Sequence, residues 1–179
     1  MTNKVVGYRN WLVASLIVAF MAVIVAATVV NRMEQQQKIA DAQALINEGI
    51  AQFRADQYEL SLQTLGRVPE DLVEDWHVPY YMGSAMIKLK KYELAAERLE
   101  QALVLNSREK NIFFALGVVY FKLGNLGLSK AYFAAVLEID PGHDEAKGLM
   151  DTMAELERRL SGPDGDQGSG DDVAGEPSQ

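Results

Sequence analysis

Side chains that carry covalent or metal chemistry are scarce in this chain. It has no cysteine and only two histidines, His77 and His143, too far apart for metal-ligand spacing. Its 25 Asp and Glu residues fall on helical patterns as solvated faces do. No glycine-rich phosphate loop joins a strand to a helix. The expectation is no catalytic residue, no metal and no cofactor, hence not an enzyme. A formal net charge of −8 argues against nucleic acid as a partner, since affinity for phosphates rests on clustered cations. What the spacing does offer is recognition chemistry. Arg54, Lys88 and Lys122 recur every 34 residues, so segments that fold alike would align three cations. Such a ladder can pair with acidic groups on a partner. The bland alternative is that each cation answers the negative end of a helix dipole.

The elements that must position these cations show the same period. Gly49, Gly83 and Gly117 lie 34 residues apart, as do Tyr58, Tyr92 and Leu126, then Ser61, Ala95 and Ser129, then Leu65, Leu99 and Phe133. A fixed period of this length signals stacked repeats, each burying its apolar face on the next. Within a copy, as in Ala95 to Leu103, apolar residues recur at three- and four-residue steps, which is helical. Gly124-Asn125 and Lys90-Lys91 break the pattern inside copies; Pro69 and Asp140-Pro141-Gly142 break it between them. No window alternates with a period of two long enough for a strand. Glycine on one helix and a small residue on the next would let paired helices approach, with Leu65, Leu99 and Phe133 filling the space between.

The spacing resembles the tetratricopeptide repeat, a helix–turn–helix unit of 34 residues. The third copy fits best, with Phe113, Leu116, Gly117, Tyr120, Ser129, Phe133 and Pro141. The second keeps Met82, Gly83, Ala95, Leu99 and Ala102 but carries Pro79, Met86 and Ser107 at signature positions. The first keeps Leu45, Gly49, Ser61 and Leu65, with Glu48 and Gln52 where apolar residues are usual. The resemblance implies a groove lined by the first helix of each copy. Carried over position by position, it implies Gln43, Ile46, Ile50, Phe53 and Arg54 in the first copy. It implies His77, Tyr80, Ser84, Ile87 and Lys88 in the second, and Asn111, Phe114, Val118, Phe121 and Lys122 in the third. Phe53, Tyr80, Phe114 and Phe121 would supply aromatic anchors, the residue types enriched at interfaces; the alternative is that some pack on neighbouring helices. His77 is expected as an exposed polar histidine. The two-carboxylate clamp of chaperone-binding members is not matched. Its positions hold Gln43, Asn47, His77, Tyr81, Asn111 and Ala115, so capture of a free C-terminal carboxylate is not expected.

At the other end, Trp11 to Val30 is an uncharged, mostly apolar run. Twenty such residues span about 30 Å as a helix, the thickness of a bilayer core. Tyr8 and Trp11 sit where interfacial aromatics sit. The run is longer than a usual signal-peptide core, and no small-x-small site with a polar break follows it. A membrane anchor is expected, with a cleaved signal as the alternative. Lys4 and Arg9 in an acid-free N-terminal tail favour that tail in the cytoplasm and the repeats outside. The lack of cysteine suits an oxidising compartment, and residues 31–179 carry a net charge of about −10. Ser15, Ala19, Ala22 and Ala26 share one face of the span, a small-residue stripe on which another membrane helix can pack.

Residues 31–44 contain no Gly or Pro, so the membrane helix either runs on into the first copy or gives way to a tether. Beyond Pro141, Ala146, Leu149, Met153, Leu156 and Leu160 form one stripe of a capping helix. Ser161 to Gln179 is rich in Gly and acids, without a base or an aromatic, and is expected to be disordered. It is either a solubilising tail or a bait for a basic partner.

The expected organisation is all-α. It comprises a tail (1–10), a transmembrane helix (11–30), a helical linker (31–44), three repeats (45–141), a capping helix (142–160) and an acidic tail (161–179). The chain is similar to small single-span tetratricopeptide proteins of the bacterial inner membrane that assist secretion, envelope assembly or cytochrome maturation. That similarity implies a periplasmic scaffold for protein–protein interaction, holding a peptide or helix in its groove. Two alternatives stay open: an accessory subunit docked through its membrane helix, and a cytoplasmic adaptor.

Overall fold

The computed structural model describes residues 2–69 and 75–160, with side chains over 15–69 and 75–159. The tail 161–179, expected to be disordered, lies outside the described residues, as do the side chains of Tyr8 and Trp11. Among the described residues there are seven helices and no strand. They are α1 (Thr2–Arg54), α2 (Tyr58–Leu65), α3 (His77–Lys88), α4 (Tyr92–Leu105), α5 (Lys110–Lys122), α6 (Leu126–Ile139) and α7 (Asp144–Leu160). They form two compact units, Met1–Asp75 and Trp76–Gln179.

In the first unit α1 runs without a break through the apolar run and the stretch 31–44. Good helix formers and the absence of Gly and Pro allow this. The helix is long and apolar enough to cross a membrane, and none of its most apolar window is buried within the chain. Its last turns pair with α2. Glu48 and Gln52, which departed from the repeat pattern, hydrogen-bond one another: Gln52 Nε2 donates to Glu48 Oε1 at 2.9 Å.

The second unit holds two hairpins, α3–α4 and α5–α6, followed by α7. The periodic glycines set the hairpin geometry. A Cβ on Gly83 would lie 2.7 Å from Leu99 Cγ, and one on Gly117 would lie 2.6 Å from Phe133 Cε1. In the first unit a Cβ on Gly49 would lie 2.6 Å from Leu65 Cγ. Each glycine thus admits the bulky residue sixteen positions on. Ser61 Oγ donates to the Gly49 carbonyl and Ser129 Oγ to the Gly117 carbonyl, both at 2.8 Å. The small second-helix residue is therefore a hydrogen-bond donor in two copies; Ala95 lacks the hydroxyl.

The turns inside the hairpins share a further regularity. Asp56, Lys90 and Gly124 all adopt positive φ, at 60°, 58° and 77°. Only the third is the residue that such a backbone favours.

α7 closes the last hairpin. Ala146 and Met153 are buried with Phe133 and Val136, and Leu149 and Met150 pack against them. The expected stripe needs one correction: Leu156 is 39% exposed. The helix seats its first three turns, Met150 joins the contact, and Leu156 looks outward. Arg158 and Arg159, in the last turn of the helix, both pair with Glu155.

A candidate protein-binding face

Within the second unit the first helices of the two hairpins, α3 and α5, lie in contact. They run parallel. Glu109, the residue that caps α5, acts electrostatically on Tyr80 in the first turn of α3. Lys88 and Lys122, each the last residue of its helix, therefore sit at the same end. Both are exposed, and among the described residues neither has an ion-pair partner. Lys122 Nζ lies 6.0 Å from the centroid of the Phe121 ring, within cation–π range. Neither α3 nor α5 contains a single Asp or Glu, whereas α4 carries Glu93, Glu97 and Glu100. In a chain of net charge −8 this is a strong partition of charge.

The expected aromatic anchors divide. Tyr80 and Ile87 are half-buried and pack against the core of Leu99, Ile112, Leu116 and Val119. Burial pushes the Tyr80 hydroxyl above its ordinary pKa, while a hydrogen bond with Ser84 opposes that shift. Phe114 and Phe121 are half-buried and pack toward Phe133. Phe114 lies 5.6 Å from Phe133 and stacks on His143 at 4.9 Å. These rings are thus partly core and partly exposed.

His77 is not the exposed polar residue expected. It is half-buried and stacks on Trp76 at 3.9 Å. Trp76 also meets Tyr80 edge-on at 5.6 Å, and Tyr80 meets Tyr81 at 5.2 Å. The sequence reading missed this four-ring cluster, although the spacing 76, 77, 80 and 81 places all four near one side of a helix start. Of the clamp positions in this unit, Ala115 is buried and His77 and Tyr81 belong to the ring cluster.

The remaining groove residues lie in the first unit. Phe53 and Ile50 are half-buried and Arg54 is exposed. Phe53 meets Tyr58 edge-on at 5.5 Å. Ile46, implied as a groove residue, is 4% exposed and belongs to the interior instead. Helical phase accounts for this: Ile46 shares a face with Ala42 and Gly49, both buried. On the membrane-helix segment, Ser15, Ala19, Ala22 and Ala26 are exposed, as are Leu16 and Phe20 beside them.

Among the described residues no group of three His, Asp or Glu comes together to hold a metal. This face offers non-covalent contacts: aromatic rings at the start of α3, apolar side chains along both helices, and two cations at their far end.

Known proteins match the same architecture. Residues 83–124 match a family model described as TPR repeat, and residues 111–143 match one described as tetratricopeptide repeat. A curated relative, chicken (Gallus gallus) DnaJ homolog subfamily C member 3, is 22% identical over 126 residues; the match takes in 70% of this chain and 25% of that protein. The chain thus spans a quarter of that relative's length. Among solved structures, the first TPR of Spaghetti (RPAP3) bound to the HSP90 peptide SRMEEVD aligns with a TM-score of 0.62 and 22% identity. That alignment covers 68% of this chain and 94% of that one. The second TPR domain of human RPAP3, in complex with the HSP70 peptide SGPTIEEVD, aligns with a TM-score of 0.59 and 25% identity, covering 63% and 94%. The 34-residue period, the glycine-to-bulky contact made in each copy and these matches lead to one assignment: residues 83–143 are tetratricopeptide repeats.

Proposed function

We propose that this protein is a membrane-anchored scaffold whose first-helix face holds a segment of another protein. The observation that carries the reading is the charge partition: α3 and α5 bear lysines and aromatic edges but no acid, in an otherwise acidic chain. Peptide complexes of its structural neighbours support a protein ligand. Their acidic peptides are not carried over as such, because the clamp positions keep Asn47 and Asn111 but hold no Lys or Arg here. Lys88 and Lys122 instead favour an acidic stretch within a partner, with Tyr80, Ile87, Phe114 and Phe121 as apolar flanks. In this reading Ile50, Phe53 and Arg54 offer the same kinds of side chain in the first copy.

The apolar part of α1 supports anchoring in a bilayer, and the charge bias of Lys4 and Arg9 favours repeats on the periplasmic side of a bacterial inner membrane. There the scaffold assists assembly or secretion of envelope proteins. One observation favours a second reading. Ser15, Ala19, Ala22 and Ala26 form an exposed stripe of small residues, a face suited to docking the protein as an accessory subunit of a membrane complex. A cytoplasmic adaptor is the outcome if the topology is reversed.

Co-purification in mild detergent, with wild type beside the double variant Lys88→Glu/Lys122→Glu, tests the proposal. Exposed charges contribute roughly 0–1 kcal/mol per pair to stability, so the variant should fold as wild type does yet lose its partners. Undiminished recovery would refute the face. Replacing Ala19 and Ala22 with Leu separates the readings, since only a docked subunit should be dislodged. A periplasmic reporter fused after Gln179 should be active; activity of a cytoplasmic reporter instead would leave the adaptor.

A further inference from the structure

The lysine end of the first-helix face lies at the level where the chain leaves α7. Lys130, in the second turn of α6, pairs with Glu157 near the end of α7. α6 begins directly after the turn that follows Lys122. The end of α7 and the ends of α3 and α5 are therefore at one level of the second unit. At the opposite level, Lys110 opening α5 pairs with Asp140 closing α6 at 2.7 Å. The nineteen residues after Leu160 carry Asp164, Asp166, Asp171, Asp172 and Glu176 and no base. Fully extended they reach about 60 Å, against a spacing of about 8–10 Å between packed helices.

We propose that residues 161–179 are themselves an occupant of this face, their carboxylates lying against Lys88 and Lys122. The inference rests on the reading of α3 and α5 as a binding surface, and three facts carry it. The two cations have no ion-pair partner among the described residues, their helices bear no acid to compete, and an acid-only segment starts at their level. Tethering supplies an effective concentration on the millimolar scale, so contacts too weak to hold a free peptide suffice. The contact is electrostatic and fades with salt. A protein partner must displace the tail, so only a more acidic or more apolar segment gains the face.

Zero-length carbodiimide cross-linking of the full chain in detergent, read by peptide mass spectrometry, tests this. Lys130 on α6, which pairs with Glu157 three residues before the end of α7, and Lys91 in the turn before α4 are the comparison lysines, since a tail that does not bind the face meets Lys130 first. The expected result is isopeptide bonds from the tail to Lys88 and Lys122 several-fold more abundant than to Lys130 or Lys91. They should not depend on protein concentration and should vanish near 1 M salt, where the Debye length is about 3 Å. A distribution dominated by Lys130, or no tail cross-link at all, overturns the proposal. So do bonds joining isotopically distinct copies, which would make the occupant a second molecule. If tail cross-links fail while Lys88→Glu/Lys122→Glu still abolishes partner recovery, the tail proposal alone falls. If cross-links form but recovery is unchanged, the partner reading alone falls.

Discussion

Replacing Gly117 with alanine adds one methyl group, and the structure sets both the sign and the size of its effect. The new Cβ would stand 2.6, 2.7 and 2.9 Å from three atoms of the Phe133 ring, against an optimal carbon–carbon separation of about 3.5–4.0 Å. Phe133 is fully buried, and the three atoms belong to one rigid ring, so α5 and α6 must separate by several tenths of an ångström. Overpacking of this kind costs about 1–3 kcal/mol. Against it stands a gain of about 0.5–1 kcal/mol from removing glycine from a helix interior. The net is a loss of about 1 kcal/mol, or about 5 °C in Tm for a unit of this size. Gly148 in α7 is the control, because nothing lies within 4 Å of its Cβ position. There only the propensity gain acts, and Gly148→Ala should raise Tm by a few degrees. Thermal unfolding followed by circular dichroism reads both variants. Gly117→Ala combined with Phe133→Leu should lose less than the sum of the single changes, since the smaller side chain relieves the clash. If Gly117→Ala raises Tm as Gly148→Ala does, the close helix contact argued from the 34-residue glycines is wrong.

Three further outcomes follow from the same geometry. Lys90 holds a positive φ where the matching turn uses Gly124, so Lys90→Gly should stabilise by about 1 kcal/mol, and a lower denaturation midpoint would contradict the turn. Ser129→Ala should cost about 1 kcal/mol by removing the donor to the Gly117 carbonyl, whereas Ala95→Ser should be neutral or stabilising; equal losses in both would show the hydroxyl to be incidental. Tyr120 donates to Glu100 at 2.6 Å, and that hydrogen bond, with burial and the carboxylate's charge, pushes its hydroxyl up to about 12. The folded state favours the protonated form, so this contribution is complete below about pH 10, the usual tyrosine value, and is lost as pH rises through the shifted one. Ultraviolet titration of wild type against Tyr120→Phe should place the missing phenolate near that value, and Glu100→Gln should bring it back down.

The fold was legible because its determinants are local and periodic. Gly49, Gly83 and Gly117 could be read at once, since each must admit Leu65, Leu99 or Phe133, and the same arithmetic located the hairpins. Ile46 was misplaced because it shares a helical face with the buried Ala42 and Gly49, and motif positions alone do not say which flank is covered. Leu156 shows the converse: a regular apolar stripe outlasts the surface available to cover it. The positive φ at Lys90 was hidden because only glycine announces such a backbone. Trp76 and His77 escaped notice because their stacking depends on where α3 begins, and a helix boundary is the least legible feature of a sequence. The absence of acid from α3 and α5 was written plainly in the sequence. It gained meaning only when the two helices proved to be parallel neighbours with their lysines at one end.

The central claim to test is that another protein binds on the first-helix face. Site-specific photo-cross-linking in living cells addresses this most directly, with a photoreactive residue placed at Ser84 or Val118 on that face, or at Val104 or Leu128 on the second helices. Val104 is 86% exposed and Leu128 is exposed, so both controls are at least as accessible. Adducts with another protein from Ser84 and Val118, and none from Val104 and Leu128, are the expected result. Adducts confined to Val104 and Leu128 would contradict it and move the binding surface to the opposite side of the hairpins.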